Sequence, residues 1–427
     1  MHFAAPMPPA TPELVPARRA TAAIALAGLG YFVDIFDLLL FAVVRVASVR
    51  DIAGDAQLLS AGTLLQNTQL IGMMIGGVAW GVLGDKRGRR SVLYGSILLY
   101  SIANLGNATA TSIEAYVAWR FLAGLGLAGE LGAALTIVSE LVEPKERGLA
   151  TTIVATMGVI GAVAAALVGG ALPWRTAYVV GGVLGLILLV VRFNVRDSAM
   201  FARTRERITT RGSIAHLLGT PSRVMRYLRA ILIGVPVWFT SGFLVTFAPE
   251  FARALGIGGT VSAGTAVLCF YGATTFGDLT SGLLSQYWHS RRKAAGLYLA
   301  MTAAGVALYF TGVARTTTGF YGLYLWLGFS TGYWAVMVTM AVEQFGTDLR
   351  ATVGTSVPTF VRATTVPMTL AWTMLQPSLG LIGGAAVVGV LVFAAAGWAV
   401  WRQSETYGTD LDFVEADRTP RAVPTGS

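Results

Sequence analysis

Apolar residues in this chain come in long blocks, without the period of two of a half-buried strand or the narrow stripe of a surface helix. Such blocks lie at 20–46, 58–83, 91–109, 113–141, 149–171, 175–195, 230–253, 261–286, 294–313, 318–344, 352–376 and 380–401, each with few charges. A helix crosses a bilayer with about 20 mostly apolar residues, so the pattern predicts twelve membrane-spanning helices in an all-α integral membrane fold. The connections are short except for 196–229, which separates six blocks from six and carries Arg196, Arg203, Arg205, Arg207, Arg211, Arg223, Arg226 and Arg229. The predicted organisation is a tail (1–19), a first half (20–195), a linker (196–229), a second half (230–402) and a C-terminal tail (403–427).

Composition agrees with a membrane protein. Only 12% of residues are charged and 55% are hydrophobic, against roughly 25% charged in soluble domains. The 51 glycines suit helices that pack backbone to backbone. Cys269 is the single cysteine, which excludes an intrachain disulfide and a cysteine zinc cluster. His2, His216 and His289 are too scattered for a metal site, and no cofactor is implied. There is no nucleophile–base constellation, so an enzyme is not expected, and no Gly-x-x-x-x-Gly-Lys-Ser/Thr loop for ATP. The first block lacks a signal-peptide cleavage site and is read as retained.

The net charge of +9 raises nucleic acid as a partner until its distribution is considered. Lys86, Arg87, Arg89 and Arg90, then Lys145 and Arg147, then Arg291, Arg292 and Lys293, and finally Arg350 all fall on the side of the linker and both termini. The other side has Arg50, Arg175, Arg253 and Arg315, with Arg45 at its margin. By the positive-inside rule the termini are cytoplasmic. The basic excess is thus a topology signal of a multi-pass protein of the cell (inner) membrane; lipid is the implied surrounding and nucleic acid is not a partner.

Glu140-Leu-Val-Glu-Pro-Lys-Glu-Arg147 parallels Glu343-Gln-Phe-Gly-Thr-Asp-Leu-Arg350, and Gly81 through Arg90 parallels Gly282 through Arg291. Both give an offset near two hundred residues. Repeated halves are a transporter architecture with the site between them at mid-membrane.

The stretch Gly81-Val-Leu-Gly-Asp-Lys-Arg-Gly-Arg-Arg90 resembles the signature loop between helices two and three of the major facilitator superfamily. Gly81 permits close helix packing there, and Asp85 can cap a helix or pair with an arginine. Arg89, Glu140 and Arg147, with Glu343 and Arg350 in the repeat, resemble the cytoplasmic charge cluster that gates the two halves. Asp34-Ile-Phe-Asp37 resembles the Asp-x-x-Asp of proton symporters for aromatic and other organic acids, and Arg120 through Glu130 resembles their fourth helix. Sugar porters share a span-one Asp and a span-four Arg. The Gly-Pro-x-x-Gly-Gly motif of drug/proton antiporters is absent from the fifth span, which weakens an antiporter reading.

Asp34, Asp37, Arg120, Glu130, Asp278 and Arg362 fall inside predicted spans. Each costs roughly 2.5–3.5 kcal/mol at a helix centre, so six facing lipid would cost on the order of 15–20 kcal/mol. They must face a cavity or one another. Asp34 and Asp37 share a helix face. Asp37 is taken as the coupling carboxylate with Arg120 as counter-ion, against a permanent structural pair. Glu130, about 80° round the helix from Arg120, carries a proton or packs helices. Arg362 suits a substrate carboxylate; Asp278 balances it, carries a proton or forms a structural pair with it. Trp238, Tyr271, Trp326 and Tyr333 are candidate substrate contacts, though an aromatic stripe is more often packing. Gln66, Asn67 and Gln69 line a polar route or bond neighbouring helices.

These readings converge on a monomeric, proton-coupled symporter of a small organic anion, with the substrate and protons as its partners. A proton loads at Asp37, a carboxylate binds near Arg362, and the halves rock to release both inside. Transport of a sugar or other metabolite, or efflux, is the alternative.

Overall fold

The computed structural model describes residues 17–87, 89–141, 147–194, 214–346, 349–408 and 415. In the first half, α1 is Ala17–Ala53, α2 Leu58–Arg87, α3 Arg89–Thr109, α4 Ile113–Leu141, α5 Arg147–Ala171 and α6 Trp174–Asn194. In the second half, α7 starts at Pro221–Trp238 and runs through Phe239–Val245 to Ala248–Ala254; α8 is Ala263–Tyr287, α9 Arg291–Phe310, and α10 comprises Thr317–Thr331 and Trp334–Glu343. α11 is Arg350–Ala363 and continues into Thr365–Arg402, where Gly380, at φ 69°, turns the chain into α12 (381–402). Among the described residues the only β-type pairing is one isolated bridge, Gly258 to Thr316. Helices prevail because lipid offers no partner to a backbone N–H or C=O, and a helix satisfies both locally.

Five helical stretches among the described residues are long and apolar enough to cross a membrane by length and composition: Trp174–Arg192, Pro221–Val245, Arg291–Phe310, Thr317–Glu343 and Thr352–Arg402. Large apolar side chains face outward all round the bundle, among them Leu167, Val190, Phe276, Met374 and Val390. That is the surface of a protein solvated by lipid.

α7 begins at Pro221 and not near 230. Thr220 caps it, its hydroxyl accepting from the Arg223 amide at 3.4 Å, with proline in the first turn. Arg223, Arg226 and Arg229 therefore lie on helix, and the hydropathy pattern had placed them in the linker only because they are charged.

Both halves contain crossings without side chains between the backbones. In the first, a Cβ added to Gly72, Gly76 or Gly124 would sit 2.3, 2.4 or 2.0 Å from a carbonyl oxygen of the facing helix, so α2 and α4 touch directly. In the second, Gly277 of α8 and Gly328 of α10 meet carbonyls in the same way, at 2.1 and 2.0 Å. The internal repeat thus has a physical counterpart in the packing. The halves meet along α1, α2, α4 and α5 on one side and α7, α8 and α11 on the other.

The second half departs from regular helix at mid-depth. α7 passes through a π-helical turn at Phe239–Val245, just after Pro236. α10 breaks at Gly332–Tyr333, and α11 has a turn at Thr364. Proline removes one ladder bond, and interrupted helices leave backbone groups free to line a site.

Candidate substrate and coupling site

Asp34 and Asp37 are three residues apart yet face different halves. The Asp34 Oδ2 lies 3.7 Å from Arg362 Nη1, both buried, in an ion pair that crosses from α1 to α11. Arg362 is held just before the Thr364 turn, its guanidinium 5.5 Å from the Trp238 ring centre. Tyr31 lies near Asp34 and Arg362. Tyr271 stands beside Ser241 of the π-helical turn, within reach of Arg362 and Tyr31. A cation, its counter-ion and three aromatic side chains therefore come together between the halves.

Asp37 turns into the first half. It lies beside Asn104 of α3, and a Cβ on Gly181 of α6 would come within 2.6 Å of its Oδ1. Neither of its oxygens has a hydrogen-bond partner among the described residues. Arg120, the expected counter-ion, is near enough to act on Asp37 electrostatically but forms no ion pair with it. Its Nη2 donates to Gln69 Oε1, and its guanidinium lies 4.0 Å from the Phe41 ring centre. The reason is the α2–α4 crossing, where Gly124 meets the Gln69 carbonyl and brings that side chain to Arg120 first.

Other predicted roles need correction. Asp278 does not pair with Arg362. Its Oδ1 accepts from the Ala335 amide at 3.3 Å, capping the second segment of α10 after its break, because Gly277 and Gly332 bring the two backbones into contact. Tyr333 is fully buried and donates to the Ile233 carbonyl at 2.9 Å, fastening α10 to α7. Trp326 is 43% exposed on the outer surface, its Nε1 donating to Met301 O of α9; it lines no site between the halves. Trp238 and Tyr271 do line it. The side chains of Asp85, Arg89, Glu130, Glu140 and Arg147, and the surroundings of Gly81, lie outside the described residues. Glu343 takes a two-pronged ion pair from Arg291, at 2.7 and 2.8 Å, and Arg350 donates to the Phe345 carbonyl.

The chain matches the family model of the Major Facilitator Superfamily over residues 27–365. It belongs to that superfamily. It is therefore a multi-pass membrane transporter and not an enzyme. It is 26% identical to the niacin transporter NiaP of Acinetobacter baylyi over 360 residues, covering 76% of this chain and 80% of that one. It is 28% identical to the 3-(3-hydroxy-phenyl)propionate transporter of Escherichia coli over 345 residues, covering 78% and 82%. Among solved structures it superimposes on a D-xylose-proton symporter with a TM-score of 0.69 at 16% identity, covering 92% and 99%. At that identity the likeness shows the shared superfamily fold.

Between the superfamily's two halves lies a contact that sequence reasoning missed. Arg45 of α1 gives Nη2 to both oxygens of Glu250 of α7, at 2.8 and 2.7 Å, with side-chain exposures of 0% and 8%. The same guanidinium reaches the carbonyls of Thr246 and Leu58 and lies 4.6 Å from the Phe247 ring centre. A signal was present: the two residues are 205 apart, close to the repeat offset, so they hold equivalent places in equivalent helices. Two further bonds cross nearby, from Gln66 to the Gly242 carbonyl in the π-helical turn and from Thr369 to Asn67 Oδ1 at 2.7 Å. The cavity lined by Gln66, Gln69, Trp238, Ser241, Gly242 and Thr246 is only about 20 Å3, room for about one water molecule. On the face opposite the linker the halves are closed.

Proposed function

We propose that the chain is a proton-coupled symporter that brings a small organic anion, an aromatic or other monocarboxylate, into the cell by alternating access. The observation that carries this reading is the Asp34–Arg362 pair between the halves. A planar guanidinium suits a carboxylate, and Trp238, Tyr31 and Tyr271 offer an aromatic ring flat or edge contacts. The niacin and hydroxyphenylpropionate transporters it resembles support an acid as substrate. We take the linker face as cytoplasmic, which makes the Arg45–Glu250 face external.

Charge balance couples substrate to proton. Asp34, Asp37, Arg120 and Arg362 together sum to zero. A substrate carboxylate adds one negative charge to a dry site, and one proton restores neutrality. The proton first sits on Asp37, on the first-half side. When the substrate takes Arg362, Asp34 loses its counter-ion and receives the proton, leaving Asp37 charged near Arg120. One proton with one monovalent anion is electroneutral, so the membrane potential neither drives nor opposes the cycle.

The test is uptake of a radiolabelled panel of benzoates, pyridine carboxylates and sugars into proteoliposomes, with and without an inward proton gradient. Wild-type protein should accumulate an acid only with the gradient. Asp34→Asn should retain exchange but lose accumulation. Movement of sugars without acids, or acid uptake indifferent to the gradient, would remove the reading.

A further inference from the structure

Inside the first half, Ser48 of α1, Tyr116 of α4 and Tyr178 of α6 are all fully buried. Their hydroxyls form one chain. Tyr178 and Tyr116 are 2.7 Å apart, Tyr116 reaches Ser48 Oγ at 3.1 Å, and Ser48 reaches the Arg45 carbonyl at 3.1 Å. At the other end, the Tyr178 hydroxyl lies beside Arg120. The rings are clamped by Trp174, which stacks on Tyr116 at 5.9 Å and meets Tyr178 edge-on at 6.3 Å.

The direction of every bond in this chain is fixed by its end. A carbonyl only accepts, so Ser48 donates to Arg45 O. With its hydrogen committed, Ser48 accepts from Tyr116, and Tyr116 in turn accepts from Tyr178. Tyr178 is left with lone pairs alone on its free side, and its neighbour there is a guanidinium, which only donates. Both ends agree. A carbonyl cannot pass a proton onward, so the chain is a scaffold and not a proton wire.

We propose that Tyr178 is a positioning residue for coupling. Oriented by Tyr116 and Ser48, its hydroxyl holds Arg120 back from ion-pair contact with Asp37, so that Asp37 can load and unload a proton. Gln69 Oε1 accepts from its Nη2, and Phe41 supports the guanidinium through its ring. A neutral amide oxygen and a neutral hydroxyl thus flank Arg120, whose Nε and Nη1 have no hydrogen-bond partner among the described residues. The titratable and charged groups facing Asp37 are Asp34 on its own helix, Arg120 on α4 and Tyr178 on α6, with neutral Asn104 on α3. The inference rests on the reading of Asp37 as a proton carrier.

The test compares wild type, Tyr178→Phe and Tyr116→Phe in proteoliposomes, recording gradient-driven uptake against external pH. Tyr178→Phe lets Arg120 swing to Asp37 and favours the charged carboxylate. The half-maximal pH should fall by about one unit, a tenfold change in proton requirement. Tyr116→Phe frees the Tyr178 hydrogen to turn and should produce a smaller shift in the same direction. Infrared titration of the purified proteins follows the protonated Asp37 carbonyl band, identified by its loss in Asp37→Asn, without requiring transport. In Tyr178→Phe this band should vanish at lower pH. A proton-driven wild type with an unmoved midpoint and band in Tyr178→Phe would overturn the positioning role alone. A wild type whose uptake ignores the gradient would remove both this role and the symport reading.

Discussion

Glu250→Gln keeps the outline of the side chain and removes the charge that Arg45 grips. The pair is buried and two-pronged, at 2.7 and 2.8 Å. Deleting one partner of such a pair usually costs about 3–5 kcal/mol, because the other charge is left without compensation. Here Arg45 keeps the Thr246 and Leu58 carbonyls and the Phe247 face. The loss is then closer to that of charged hydrogen bonds, about 1.5–3 kcal/mol. Arg45 and Glu250 sit on opposite halves and meet only when this face is closed, so the whole loss falls on the closed state. The closed-to-open ratio should drop about 10- to 150-fold, since about 1.4 kcal/mol is a factor of ten. Spin labels at exposed Ala56 and Thr260, placed in a Cys269→Ser background, span the two halves on this face. Electron–electron resonance should give one short distance for the wild type and an added longer population for Glu250→Gln. Exchanging the charges, with Arg45→Glu and Glu250→Arg together, should recover part of the short population. If Glu250→Gln keeps the wild-type distribution and only melts earlier, the pair is a permanent weld and does not gate this face.

Gly181→Ala forces a Cβ to within 2.6 Å of Asp37 Oδ1; accumulation should fall at least tenfold while the purified protein elutes as wild type does. Trp326→Leu changes a surface side chain that faces away from the halves, so uptake should match wild type and the melting temperature should fall only slightly. At the linker face, Glu415 is gripped by Arg223 and Arg226 and accepts from the Gly346 amide. Burial pushes its carboxyl upward, but these partners outweigh it and hold the group below the usual range. A lowered value in the folded state contributes stability above the ordinary carboxylate value, near pH 4.3, and that contribution is lost as pH falls through the folded value. Protection of the Gly346 amide in hydrogen exchange should therefore fall on acidification below about pH 4.3 in wild type and be weak at every pH in Glu415→Gln.

The spans and the two halves were legible because membrane insertion depends on apolar length, a local property of the sequence. The repeat offset was legible because the Glu140–Arg147 and Glu343–Arg350 stretches keep the same spacing of charges. The buried charges were also found from sequence: Asp34, Asp37, Arg120 and Arg362 are all at most 2% exposed. Which charge meets which was not legible. Pairing depends on how far each helix is rotated and how closely neighbours approach, and Gly124 and Gly332 set those distances from across the bundle. Asp278 shows the limit plainly. Its partner is a backbone amide exposed by a break in α10, and nothing in the apolar run of that helix announces the break. Arg45 was misjudged for another reason: at the margin of its span it read as topology, and its partner Glu250 lay in the other half.

In the proposed cycle α1 is where substrate binding and proton loading meet, and helix geometry gives the reason. At about 100° per residue, positions eleven apart return to nearly the same direction, about 20° off, and positions three apart differ by about 60°. Asp34 and Arg45 are eleven apart, and both reach the second half, through Arg362 and Glu250. Asp37 and Ser48 are also eleven apart, and both turn into the first half, toward Asn104 and Tyr116. The helix therefore carries two stripes, one facing Arg362 and Glu250 of the second half, the other facing Asn104 and Tyr116 of the first. Eleven residues rise about 16 Å, so each stripe links mid-membrane to the outer closure. In that cycle a substrate that displaces Asp34 from Arg362 would loosen α1 from the second half along the same stripe that holds the Arg45–Glu250 pair. The adjacent stripe, tied through Ser48 to Tyr116, would keep Asp37 with the first half as this happens. Coupling then requires no long pathway across the bundle, only one stiff helix held on two faces by contacts of opposite allegiance.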